Sequence, residues 1–242
     1  MLKKDMGLFL CTFIFSFLII CSTKEVNAEP NYNILYNKES LVAKYEHGGK
    51  EYQAIGKDSY GGYSYGKWQI STKRYDEKPS TFDFFLKYTK KHSPTFYKQL
   101  EEAGGYKGAF FGKKDFIKVW KALALNKEFQ LIYDNFIIDT QIIPVYERLN
   151  NSKDIKLIQI NDWGLKDEVI RAALESLIIQ HGSGGAYNMI KIIINDYNPE
   201  TKEMFLKYIY EYRKKRFPKY KKRYNLEYAE LNQYLLEEKS NS

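Results

Sequence analysis

Apolar residues recur at three- and four-residue steps along most of the chain, the spacing of helices that bury one face. Residues 34–46 show it through Ile34, Leu35, Leu41, Val42 and Tyr45, and Gly48-Gly49 ends the run. Ser80 with Asp83 three residues later predicts a capped helix. Ser93-Pro94 predicts another, with proline in its first turn and its end near Gly104-Gly105. Helical spacing continues over 114–125 and over 128–149, the second interrupted near Pro144. It returns over 167–180, which stops at Gly182, and over 186–196, 202–217 and 226–238. Residues 51–70 break the pattern. They are rich in Gly and Tyr, with turn signals at Lys57-Asp58 and Gly61-Gly62, and predict a loop or small β-hairpin. Residues 67–71 are read as opening a further helix. No Pro/Gly/Ser linker or internal repeat divides residues 30–242, so the pattern predicts one mostly α unit with a small β element.

The first 28 residues have a different logic. Lys3 and Lys4 precede an apolar run from Leu8 to Cys21, and Val26-Asn27-Ala28 supplies a small-x-small cleavage pattern. This predicts a secretory signal peptide and a periplasmic or secreted protein. The run is shorter than the roughly 20 residues of a membrane span, so membrane contact is expected only through this segment if it stays uncleaved. Cys21 lacks a small residue before it, which argues against lipoprotein processing. Both cysteines, Cys11 and Cys21, lie in the signal, so residues 29–242 hold no disulfide, thiolate ligand or Cys nucleophile. The three histidines, His47, His92 and His181, have no metal-ligand spacing, and no metal site is expected.

The chain carries a net charge of +8, and the signal accounts for +1 through Lys3, Lys4, Lys24, Asp5 and Glu25. The remainder is cationic and is drawn to anionic surfaces, cell wall among them. Much of that charge sits in residues 208–224, where Lys and Arg alternate with Tyr and Phe. Such a pattern suits single-stranded nucleic acid, an anionic wall polymer, or a helix face whose rings pack inward. Export sets nucleic acid aside, and residues 200–242 are read as a basic helical extension.

Candidate chemistry gathers in 45–70. Glu46 ends the first predicted helix, where the negative end of the helix dipole disfavours a carboxylate. Partial burial there would raise its pKa toward that of a general acid, whereas full exposure would leave an ordinary surface glutamate. Asp58 follows in the Gly-rich loop, where it can face Glu46 across a cleft or bond turn amides. Two carboxylates flanking a sugar bond can act as acid and base, or as acid and nucleophile.

The stretch Glu46-His47-Gly48-Gly49, then Ala54-Ile55-Gly56-Lys57-Asp58-Ser59 and Gly61-Gly62-Tyr63-Ser64-Tyr65-Gly66-Lys67-Trp68-Gln69, resembles the lysozyme-like, chitosanase-like muramidase domains of phage tails and type VI secretion spike proteins. Gln180-His181-Gly182-Ser183-Gly184-Gly185-Ala186 is similar to a second motif of that family, and the likeness runs over roughly 34–196. The chain departs from it in carrying His47 where relatives usually carry Ser. A weaker similarity to lytic transglycosylases rests on the Glu followed by Gly-x-x-Gln.

The resemblance implies a two-lobed lysozyme-like fold, with a large helical lobe, a small hairpin lobe and a glycan cleft between them. It implies Glu46 as proton donor, Asp58 as second catalytic carboxylate, and Ser64, Tyr65, Gln69 and His181 lining the cleft. Trp68 and Trp120 are read as core first. The function implied is hydrolysis of peptidoglycan glycan strands without a cofactor or metal, with a secretion or cell-envelope apparatus as a further partner. The alternatives are a chitosanase or lytic transglycosylase on the same fold, or an inactive wall-binding module.

Overall fold

The structure is a computed structural model describing residues 51–58 and 61–240, which all fall in one compact unit. The signal segment, the helix expected over 34–46, Glu46 and His47 lie outside the described residues.

The Gly- and Tyr-rich stretch forms an antiparallel sheet of β1 (Ile55–Lys57), β2 (Tyr63–Tyr65) and β3 (Ile70–Ser71), in that order. Gly56 pairs with Ser64 across β1 and β2, and Tyr65 pairs with Ile70 across β2 and β3. The expected hairpin therefore gains a third strand, and the helix expected over 67–71 does not form. Gly66 and Gln69 have φ of 76° and 49°, the left-handed region in which an α-helix cannot propagate. The Gln69 amide instead donates to the Gly66 carbonyl at 3.0 Å, closing a turn that delivers the chain into β3.

Helices follow. α1 (Thr81–His92) starts at the capping box expected from sequence, with the Asp83 amide donating to Ser80 Oγ at 3.1 Å and the Ser80 amide to Asp83 Oδ2 at 2.7 Å. α2 (Pro94–Glu102) opens on its proline, and the short α3 (Gly105–Phe110) follows the Gly104-Gly105 break. α4 (Lys114–Leu123) and α5 (Lys127–Ile137) come next. Residues Ile138–Ile142 form one π-helical segment before α6 (Ile143–Asn150), so the interruption expected near Pro144 is a widened turn just ahead of it.

α7 (Ile155–Lys166) was not expected. Its apolar residues stand nearly every second position, and Gly164 sits in its last turn. That glycine serves packing: a Cβ there would meet Leu174 Cδ1 at 2.6 Å and the Tyr146 hydroxyl at 2.8 Å. α8 (Glu168–Tyr197) joins the two helices expected over 167–180 and 186–196, with Gly182 at φ 69° and ψ 165° as a sharp kink between them.

α9 (Lys202–Arg216) and α10 (Lys221–Ser240) complete the chain. They correct the reading of residues 200–242 as an extension. Tyr210, Arg213, Tyr224, Leu231 and Leu235 are buried in the common core. Fully buried Arg213 donates to Ser176 Oγ at 3.0 Å, to Glu227 Oε2 at 3.2 Å and to Gln180 Oε1 at 2.5 Å. Arg223 bonds the other oxygen of Glu227 at 2.5 Å, and the Tyr210 hydroxyl donates to Glu227 at 3.1 Å. Burial alone would raise the Glu227 carboxyl, but the charges of Arg213 and Arg223 hold it below the usual carboxylate range. Part of the basic run is thus interior, paired and hydrogen-bonded.

A cluster of rings couples the sheet to the helices. Tyr65 on β2 lies 5.0 Å from Trp120 of α4 and 5.3 Å from Phe82 of α1, while Trp120 lies 5.4 Å from Phe129 of α5. Tilted and edge contacts of this kind add about 0.5–1.5 kcal/mol each beyond simple burial. The abundance of Tyr and Phe is used first to build this core.

Candidate functional site

The Gly-rich motif is a small lattice. Ser64 Oγ donates to Gln69 Oε1 at 2.7 Å, and Gln69 Nε2 donates to the Gly66 carbonyl at 2.8 Å. Gly56 faces this pair from β1: a Cβ on it would stand 2.7 Å from Gln69 Oε1 and 2.8 Å from Ser64 Oγ. The glycine is there because two polar side chains occupy the space above it. Asp58 is half-buried at the end of β1, its amide donating to the Gly62 carbonyl at 3.1 Å and its carbonyl accepting from Gly61 at 3.1 Å. Gly62, at φ 85°, lies against Thr72, whose hydroxyl bonds both the amide and the carbonyl of Tyr63. The backbone carrying Asp58 is therefore fixed at both ends of its turn.

Helix α5 clamps this sheet from below. Tyr133 donates to the Tyr65 carbonyl at 2.8 Å and accepts from the Trp68 amide at 3.1 Å. Gly66 makes room for its ring, since a Cβ there would lie 2.6 Å from Tyr133 Cζ. Next to it the buried Asp134 accepts from Trp68 Nε1 at 2.9 Å and from the Tyr52 hydroxyl. Lys67 is buried as well, with Nζ 4.7 Å from the Trp68 ring centre and 5.8 Å from that of Tyr52. Beneath the motif, Trp68 and Tyr52 thus each lie near the buried cation through their rings and donate to the buried anion, and burial makes both charges dependent on their partners. Sequence reasoning missed Tyr52, Lys67 and Asp134. The signal that could have found Asp134 is its place among the core residues Tyr133, Phe136 and Ile137, where an acid needs a partner.

The expected site residues are placed as follows. Ser64 and Gln69 are half-buried and bonded to each other. Tyr65 is a correction. Its side chain has no exposed surface, its hydroxyl donates to the Ala109 carbonyl at 2.8 Å, and it is a core ring with no face left for a sugar. Trp68 and Trp120 are core residues, as read from the sequence. His181 sits at the kink of α8, half-buried and stacked on Phe217 with ring centres 4.6 Å apart. Its Nε2 is buried without a hydrogen-bond partner among the described residues. Burial, and then the charges of Arg213 and Arg223, push its pKa down to about 4, so the ring is neutral at pH 7. Across the kink, the Ser183 amide donates to Gln141 Oε1 at 3.4 Å, tying the second motif to the π segment. The structure therefore joins Ser64 with Gln69 in the sheet, and His181 with the C-terminal helices. Glu46, which must complete any carboxylate pair with Asp58, lies outside the described residues.

Comparison with known proteins agrees with this geometry. No curated protein matches the chain in sequence. Among solved structures, the chain resembles the Gynuella sunshinyii GH46 chitosanase GsCsn46A in complex with chitotetraose. The TM-score is 0.55 at 17% identity, over 83% of this chain and 87% of that one. This likeness establishes the lysozyme-like fold, mostly helical with a small antiparallel sheet. The family model for the type VI secretion system spike protein VgrG3-like C-terminal region matches residues 39–239, which includes the last two helices as well as the Gly-rich motif. The chain belongs to this VgrG3-like C-terminal family, on the fold of lysozyme-like glycoside hydrolases.

Proposed function

We propose that the chain hydrolyses the glycan strands of peptidoglycan, with Glu46 as general acid and Asp58 as second carboxylate. The observation that carries this reading is that Asp58 stands on a turn fixed by backbone bonds to Gly61 and Gly62, at the end of the strand whose Gly56 lies against the Ser64–Gln69 pair. Fixed geometry of this kind is what a carboxylate needs in order to position water or to stabilise an oxocarbenium-like transition state. Membership of the VgrG3-like family supports the glycosidase class and a link to a secretion or cell-envelope apparatus. The N-terminal signal pattern and the cationic charge support action outside the cytoplasm, on an anionic wall.

The second reading is a chitosanase, favoured by the similarity to a chitosanase in complex with chitotetraose. Turnover of purified wall sacculi and of chitosan by residues 29–242, each beside the Asp58→Asn variant, tests the two. The first reading expects wall turnover that falls by about 100-fold or more in Asp58→Asn, in the range of losing one acid–base or electrostatic partner. Turnover of chitosan alone would replace the wall by chitosan as substrate. Full wall turnover by Asp58→Asn would remove Asp58 from the chemistry and favour a single-carboxyl lytic transglycosylase.

A further inference from the structure

One pocket lies away from every residue of the Gly-rich motif. Asp196 and Tyr197 at the end of α8 face Tyr212, Lys215 and Arg216 near the end of α9, around about 240 Å³ of open space. This is below the ~300–1,000 Å³ usual for a drug-sized ligand, so the pocket has room for one ring rather than a strand. Tyr197 and Tyr212 are half-buried, and the three charged side chains are exposed. Among the described residues, Asp196 and Lys215 have no hydrogen bond or ion pair, in contrast to the nearby buried Arg213, which bonds Ser176, Glu227 and Gln180. Tyr197 is held in place by stacking on Tyr208, with ring centres 4.8 Å apart.

We propose that this pocket is a secondary glycan-binding site for a sugar unit carrying a carboxylate. The rings of Tyr197 and Tyr212 offer apolar surface to the C–H face of a pyranose. The Asp196 carboxylate accepts from sugar hydroxyl or amide groups, and Lys215 and Arg216 take the sugar's carboxylate, Arg216 through its planar fork. With one acid and two cations the pocket carries a net charge of about +1, which matches the single carboxylate of one sugar unit rather than a phosphate polymer charged at every unit. The pocket would tether the protein to its polymer while the sheet motif works elsewhere on the strand. In that respect the inference rests on the glycan-hydrolase reading, although binding can be measured without cleavage.

The experiment is co-sedimentation of residues 29–242 with purified peptidoglycan sacculi at low temperature. It compares wild type with Lys215→Glu and Tyr212→Ala, and soluble competitors are added: a muramic-acid-containing disaccharide, a neutral chitin disaccharide and polyphosphate. Hydrolysis of a short soluble glycan is followed in parallel. The proposal expects both variants to bind sacculi about 5- to 10-fold more weakly and to hydrolyse the short glycan at the wild-type rate, and expects only the acidic disaccharide to compete. Lys215→Glu changes an exposed side chain, so it remains informative if Tyr212→Ala folds poorly. Wild-type binding by Lys215→Glu would overturn the proposal. Equal competition by the chitin disaccharide would overturn its acidic specificity, and competition by polyphosphate would make the site an anion site of another kind. Absence of hydrolysis by every protein, with the binding difference intact, would count against the catalytic reading while supporting the pocket.

Discussion

Gly56 and Gly66 are the two residues on which the sheet motif turns. Each lies where a Cβ would enter another side chain, the Ser64–Gln69 pair in one case and the Tyr133 ring in the other. Gly66 also has φ of 76°, so alanine there meets strain as well as overlap. Gly66→Ala should therefore destabilise by about 2–4 kcal/mol and Gly56→Ala by about 1–3 kcal/mol, readable in urea unfolding midpoints. Equal stability of Gly66→Ala and wild type would show that Tyr133 does not sit where it is described. Asp134 calls for the same logic with charge. Asp134→Ala would leave Trp68 Nε1 and the Tyr52 hydroxyl without their acceptor and a buried Lys67 beside them, a loss of about 3–5 kcal/mol in the range of broken buried polar networks.

His181 gives the pH dependence. Its pKa is about 4 in the folded chain, against about 6.5 when unfolded. The unfolded state therefore binds a proton that the native state does not, and stability falls as pH drops from about 6.5 to about 4, then no further on this account. Discounted for residual exposure, the slope is about 1 kcal/mol per pH unit. Asp83 and Glu227, both held below the usual carboxylate range, lose their contributions only at lower pH. Unfolding free energies of wild type and His181→Gln between pH 4.5 and 7 should converge at the acid end. Parallel curves would contradict the buried neutral ring.

At the scale of elements, local signals served where local forces decide. Ser80 and Asp83 announced their capping box, and Ser80→Ala should cost about 1 kcal/mol. Pro144 announced the break that the π segment takes up, and Gly182 the kink in α8. What stayed hidden depends on tertiary partners. The third strand exists because Gly66 and Gln69 turn the chain back, which their one-letter pattern does not distinguish from a helix start. α7 escaped because its glycine, a poor helix former alone, is placed by Leu174 and Tyr146 from other helices. The Gly-rich motif was legible as a sequence pattern, and Asp58, Ser64 and Gln69 fall within it. The supports of that motif were not, since Asp134 lies far along the chain and Tyr65 reads the same whether it faces a sugar or Trp120.

For the whole molecule, the last two helices decide whether the basic tail is a part or an appendage. Arg213, Tyr210 and Tyr224 tie it to Gln180, Ser176 and the kink of α8, so removal of residues 200–242 should abolish cooperative thermal unfolding. A truncated chain with a sharp transition would restore the extension.

The second motif, the tail and the sheet thus fall in one compact unit, and the most direct measurement of its proposed activity is wall digestion. Purified residues 29–242 and the Glu46→Gln variant are incubated with peptidoglycan sacculi, and the soluble products are analysed by mass spectrometry. The account predicts muropeptides with ordinary reducing ends from the wild type and essentially none from Glu46→Gln. Products that persist in Glu46→Gln, or anhydro ends in place of reducing ends, would contradict it.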